Sequence, residues 1–123
     1  LVDVGFWADP RDPQDNRPDP SHFVDHEWGA TVVARAVEMY AHSGFVESFE
    51  LGYSWCRLGL AAAAAAAASR GHDNRFMGCC TLTDGTYVWP EGLAHYVSEH
   101  AVRPPEDFIK HALKNLRVLR SAQ

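Results

Sequence analysis

A single small α+β domain, with about three helices around a mainly antiparallel sheet, is the fold class this sequence predicts. Three observations carry the expectation: a turn, strand and helix start within 83–100, apolar stripes at helical spacing on either side, and mixed apolar and polar alternation at 45–51. The first is the most specific. Asp84-Gly85 lies between Thr81-Leu82-Thr83 and Thr86-Tyr87-Val88-Trp89, two runs rich in β-branched and aromatic residues. A two-residue Asp-Gly link needs positive φ, which glycine tolerates, and it matches the twist of paired strands. Pro90 has no N–H for a ladder and suits a helix's first turn, where Glu91 would complement the dipole. Leu93, Tyr96, Val97 and His100 then share one helical face. His95 and Glu99, four apart, lie on another, where they can pair.

The remaining elements follow in order. Residues 1–20 hold four of the seven prolines, with Asp-Pro at 9–10, 12–13 and 19–20, so they are extended or turning. They form an acidic, proline-rich arm preceding a domain at 21–123. The arm is either a disordered tail or is pinned to the body by Phe6 and Trp7. Trp28, Val32, Val33, Ala36, Val37 and Tyr40 trace a helix at about 27–42, with Gly44 as its stop. Residues 45–51 read as a half-buried strand that Tyr53, Trp55 and Leu58 could extend. The eight alanines at 61–68 read as a short helix, or as stand-ins for side chains whose identity is not given. Residues 69–76 are a polar loop. After Val102-Arg103-Pro104-Pro105, the stripe Phe108, Ile109, Ala112, Leu113, Leu116 and Leu119 predicts a final helix. Its acids come first and its bases last, and the acidic arm could fold onto that basic side.

Composition narrows the function classes. At 123 residues the chain is one domain, large enough to bury a core without staples. Residues 1–27 carry seven acids against two arginines, which accounts for the whole net charge of −5. No basic stripe exists to hold a phosphate backbone, so nucleic acid is not an expected partner. No apolar run is long enough to cross a bilayer, and no signal-peptide pattern follows Leu1, which reads as a processed or trimmed end. Three cysteines, two of them adjacent, argue against a disulfide framework and for a reducing, cytoplasmic setting.

Residues 53–57 (YSWCR) and 77–108 (MGCCTLTDGTYVWPEGLAHYVSEHAVRPPEDF) resemble a family of small uncharacterised bacterial proteins. That family carries Tyr-Ser-x-Cys-Arg with a second cysteine soon after, then Thr-Asp-Gly, Trp-Pro-Glu-Gly and His-Tyr-Val-x-x-His. The resemblance spans about half of the chain. This sequence departs from it near Gly59-Leu60, where no second cysteine stands. It implies no activity, only a setting among accessory or mobile bacterial genes.

Four constellations could carry function. The first is a zinc site drawn from Cys56, Cys79 or Cys80, His95 and His100, since zinc takes thiolate and imidazole ligands. Against it, no Cys-x-x-Cys pair is present, neighbours on a strand point to opposite faces, and His95 and His100 stand about 140° apart around a helix. Small buried cysteines and hydrogen-bonded histidines are the plain alternative. The second is a ligand pocket of Asp84, Tyr87, Trp89, Glu91 and His95, aromatic walls with a few convergent polar groups. Its alternative is that Trp89 and Tyr87 are core. The third is acid–base work by His95 or His100 with Glu91 or Glu99, or a nucleophilic Cys79 or Cys80. No phosphate loop, HExxH or nucleophile elbow supports it, and no catalytic residue is assigned. The fourth is an interaction module whose arm docks a protein partner or an identical subunit. Non-enzymatic binding or assembly is the favoured expectation, with a zinc-stabilised domain second.

Overall fold

The computed structural model describes residues 1–9, 11–49, 56–58 and 78–121, with side chains as far as 116. Its order is β1 (Val2–Asp3), a 3-10 turn (Pro20–Phe23), α1 (His26–Gly29), α2 (Val32–Ala41), β2 (Phe45–Phe49), β3 (Cys80–Thr83), β4 (Tyr87–Pro90), α3 (Leu93–His100) and α4 (Glu106–Ser121). The four strands form one sheet in the order β1-β4-β3-β2. Both hairpin contacts are antiparallel, and only β1 runs parallel to its neighbour, β4. The α+β class and the mainly antiparallel sheet are therefore as the sequence predicts. The expected extension past 51, the alanine run and the polar loop at 69–76 lie outside the described residues, apart from Leu58.

The hairpin forms where expected, with a different turn. Thr83 pairs with Val88, so the link is longer than two residues, and Gly85 (φ +94°) alone takes positive φ within it. Asp84 does the work that a second positive φ would have done. Its Oδ1 accepts from the Thr86 and Tyr87 N–H groups at 2.9 and 2.8 Å, an Asx-type closure of the turn. Pro90 is the last residue of β4, and Gly92, not Pro90, caps α3. Glu91 thus sits before the helix, its N–H donating to the Cys80 carbonyl.

The predicted helix at 27–42 is two helices. Asp25 caps α1 by accepting from the Trp28 N–H, and Thr31 caps α2 by accepting from the Ala34 N–H. The new start shifts the buried stripe to Ala34, Val37, Tyr40 and Ala41, and leaves Val32 83% exposed. Gly44 is not a left-handed stop either. A Cβ there would lie 2.8 Å from the Trp89 ring and 2.9 Å from Leu82 Cβ, so the missing side chain is what lets the chain pass.

The core gathers where α2 packs on α3 and α4 over the hairpin. Trp89 is fully buried at its centre and donates its indole N–H to the Ala41 carbonyl at 2.9 Å. Phe108 stands edge-on to it at 5.5 Å between centroids. A second cluster of Trp7, Tyr96 and Val102 receives Val24, Cys56 and Leu58. Within 1–9, Val4 and Trp7 are buried, and the Val4 N–H donates to the Val88 carbonyl at 2.9 Å. Asp9 and Asp15 pair with their own neighbours Arg11 and Arg17, and Asp25 pairs with Arg103. None of those three acids bonds the basic side of α4 among the described residues.

Candidate metal centre

The apolar face of α3 decides where its histidines go. Leu93, Ala94, Tyr96 and Val97 are buried, which fixes the helix rotation and leaves His95 and His100 half-buried at its edge. Ala101 then takes the left-handed conformation (φ +54°) and ends the helix directly after His100. Both imidazoles border the Tyr96 ring, and their centroids are 5.0 Å apart despite the angle between the two positions. Cys56 arrives from the chain between β2 and β3. The neighbouring Arg57 N–H donates to Tyr96 Oη at 2.8 Å, which anchors this segment on α3.

Cys56 Sγ lies 3.3 Å from His100 Nε2, and one donor atom from each of Cys56, His95 and His100 falls within 4.8 Å of the others. Zinc–sulfur and zinc–nitrogen bonds of about 2.3 and 2.0–2.1 Å, at a tetrahedral angle, separate such donors by about 3.6 Å. The sulfur–nitrogen distance is a few tenths of an ångström short of that edge. Electrostatics suit a metal as well. Burial pushes the His95 pKa down, helped by the nearby His100 and opposed by Glu99, which favours the neutral imidazole that a metal takes as ligand. Burial pushes the Cys56 thiol up, against the Leu58 N–H and the Arg57 charge. That thiol stays protonated until a cation displaces its proton.

The other sequence candidates lie elsewhere. Cys79 is not in this group. It occupies the bend before β3, so the two adjacent thiols do not point apart as strand neighbours would. Burial and hydrogen bonds to Glu91 and Cys79 push Cys80 up to about 11. Trp89 is core. Asp84 and Tyr87 belong to a third place.

That third place contains residues that sequence reasoning passed over. Tyr40 Oη donates to Asp84 Oδ2, His111 Nε2 donates to the same oxygen at 2.9 Å, and Asn115 Nδ2 donates to Tyr40 Oη at 2.7 Å. The Tyr87 ring covers His111 at 4.9 Å. Burial works against the Asp84 charge, but hydrogen bonds from Tyr40 and from the Tyr87 and Thr86 N–H groups, with His111 beside it, hold its pKa below the usual carboxylate range. Burial and the Asp84 carboxylate push Tyr40 up to about 12. The one available signal was His111 and Asn115, four apart at the margin of the apolar stripe of α4.

The profile of a family described as a domain of unknown function, DUF7919, matches residues 2–113. No curated protein and no solved structure matches the chain. Among the described residues, no helix is long and apolar enough to cross a membrane.

Proposed function

Since the chain belongs to the DUF7919 family, whose description carries no activity, we propose from its own side chains that it is a small binding domain built on a thiophilic metal ion, zinc by preference, held by Cys56, His95 and His100. The observation that carries this reading is the convergence of three donors within 4.8 Å from two separate parts of the chain. Two imidazoles and a thiolate are a soft, nitrogen-rich set suited to zinc over magnesium or calcium. Bound there, the ion would tie the segment at 56–58 to α3, and its fourth position would accept a solvent or ligand atom. Protein purified without chelators should carry close to one zinc per chain by elemental analysis, and Cys56→Ser should lose most of it. Zinc-free parent protein whose melting temperature does not move on zinc addition would remove the proposal.

The binding role extends to assembly with an identical subunit or another protein. Phe45 and Val46 are 78% and 52% exposed on β2, an edge strand among the described residues, where backbone groups and apolar side chains invite a partner. Native mass measurement on the same sample tests this: a dimer that Phe45→Glu dissociates supports it, and a monomer at every concentration removes self-assembly.

A further inference from the structure

Trp7 is only 6% exposed, and its indole Nε1–H is buried with no hydrogen-bond partner. Rings stand against it: Phe23 and Tyr96 lie 5.7 and 6.0 Å away between centroids. Buried donors are almost always paired in folded proteins, and an orphan calls for an explanation, of which an acceptor arriving from outside is one. The indole borders two adjoining clefts. The larger, about 210 Å³, is walled by Trp7, Phe23, Pro18 and Pro105, with Arg17 and Arg103 at its rim. The smaller, about 60 Å³, shares Trp7 and Arg17 and reaches Tyr96.

We propose that this cleft binds a small aromatic carbonyl compound, its ring between the apolar walls and its oxygen accepting from Trp7 Nε1–H. Size sets the ring. An apolar cavity of about 150 Å³ takes benzene, so the larger cleft takes a substituted benzene. Charge sets the acceptor. Arg17 pairs with Asp15 at 2.6 Å, and Arg103 pairs with both Asp25 and Glu106. Asp3 adds another acid to the wall. With the guanidiniums already matched and the acids in excess, a carboxylate ligand is repelled and a neutral carbonyl is not. The Arg17 side chain is about half exposed (47%) and lines both clefts. The site is separate from Cys56, His95 and His100, none of which lines it.

The test uses the full chain and three probes of similar size: N-methylbenzamide, phenylacetate, and cumene, which has no acceptor. Four tryptophans give four indole N–H resonances, and the one missing from Trp7→Phe identifies Trp7. N-methylbenzamide should move that resonance downfield saturably, and Trp7→Phe should weaken its binding by roughly fivefold more than it weakens the binding of cumene, which loses only ring contact. Phenylacetate should bind more weakly than the amide. No shift of the Trp7 resonance at millimolar amide, equal amide affinity in Trp7→Phe, or tighter binding of phenylacetate would overturn the proposal. If Trp7→Phe does not fold, nuclear Overhauser contacts from the bound amide's ring protons to Phe23 and Pro105 in the parent decide it. Their presence sustains the site, and their absence removes it.

Discussion

Gly44 shows how a single residue can be placed correctly and understood wrongly. Its position after an apolar stripe reads as a helix stop, but its role is to let the backbone pass within van der Waals reach of Trp89 and Leu82. Local sequence cannot distinguish the two, because the residues that crowd it lie about forty positions further on. The distinction has a consequence. Gly44→Ala should destabilise the fold by about 1–3 kcal/mol through overpacking. A left-handed stop would instead be relieved by asparagine, so Gly44→Asn, larger still, should be worse than Gly44→Ala. Denaturant unfolding of both variants checks the order. The same limit hid the Tyr40, Asp84, His111 and Asn115 network, whose links between α2, the turn and α4 span 27 to 75 residues of chain. Trp89 was legible as core because an aromatic residue within a strand has few other fates. Cys56 and His100, 44 apart, could be nominated from residue type, but only the fold brings them to 3.3 Å.

At the scale of elements, legibility followed periodicity. The hairpin, α3 and α4 each carry a strong local pattern, and each appears close to its expected bounds. The helix at 27–42 did not survive, because Asp25 and Thr31 each offer a side-chain cap and the chain uses both. β1 was not legible at all. Two residues long and pairing across more than eighty positions, it has no pattern of its own. The end of α3 invites a test. Ala101 holds φ +54°, a left-handed conformation that a Cβ disfavours and that glycine adopts freely. Its Cα and Cβ also press on Gly29, where an added Cβ would meet Ala101 Cβ at 2.5 Å. Ala101→Gly should therefore stabilise the protein by about 0.5–1 kcal/mol, net of the entropy glycine adds to the unfolded chain. Gly29→Ala should destabilise it, and the pair of thermal melts shows whether α1 and α3 touch as closely as described. An Ala101→Gly variant less stable than its parent would show that the left-handed cap carries no strain.

Across the whole molecule, two tyrosines lock separate elements together. Tyr40 on α2 joins the hairpin turn to α4 through Asp84 and Asn115, and Tyr96 on α3 accepts from the Arg57 N–H that anchors Cys56. Burial, first among the causes, pushes both phenols up to about 12 from an ordinary value of 10. The folded state therefore holds these protons more tightly than the unfolded state. Their contribution is fully present below pH 10 and is lost as pH rises from 10 through about 12. On the acid side, Asp84 and Asp25 have lowered values against an ordinary 3.8. Their contribution is present above that pH and is lost as pH falls through their folded values. His95, also lowered, adds an earlier loss as pH falls below 6.5. The raised Cys56 and Cys80 thiols, ordinarily at 9, start the alkaline loss earlier, so melting temperature followed by circular dichroism should be nearly level from about pH 7 to 9, decline gradually below 6.5, and fall on both flanks. Tyr40→Phe separates the two locks: it should lower the plateau and make the alkaline flank shallower, leaving the portion due to Tyr96 and the two thiols. An alkaline flank unchanged in Tyr40→Phe would mean that α2 is not held to the turn and to α4 by that phenol.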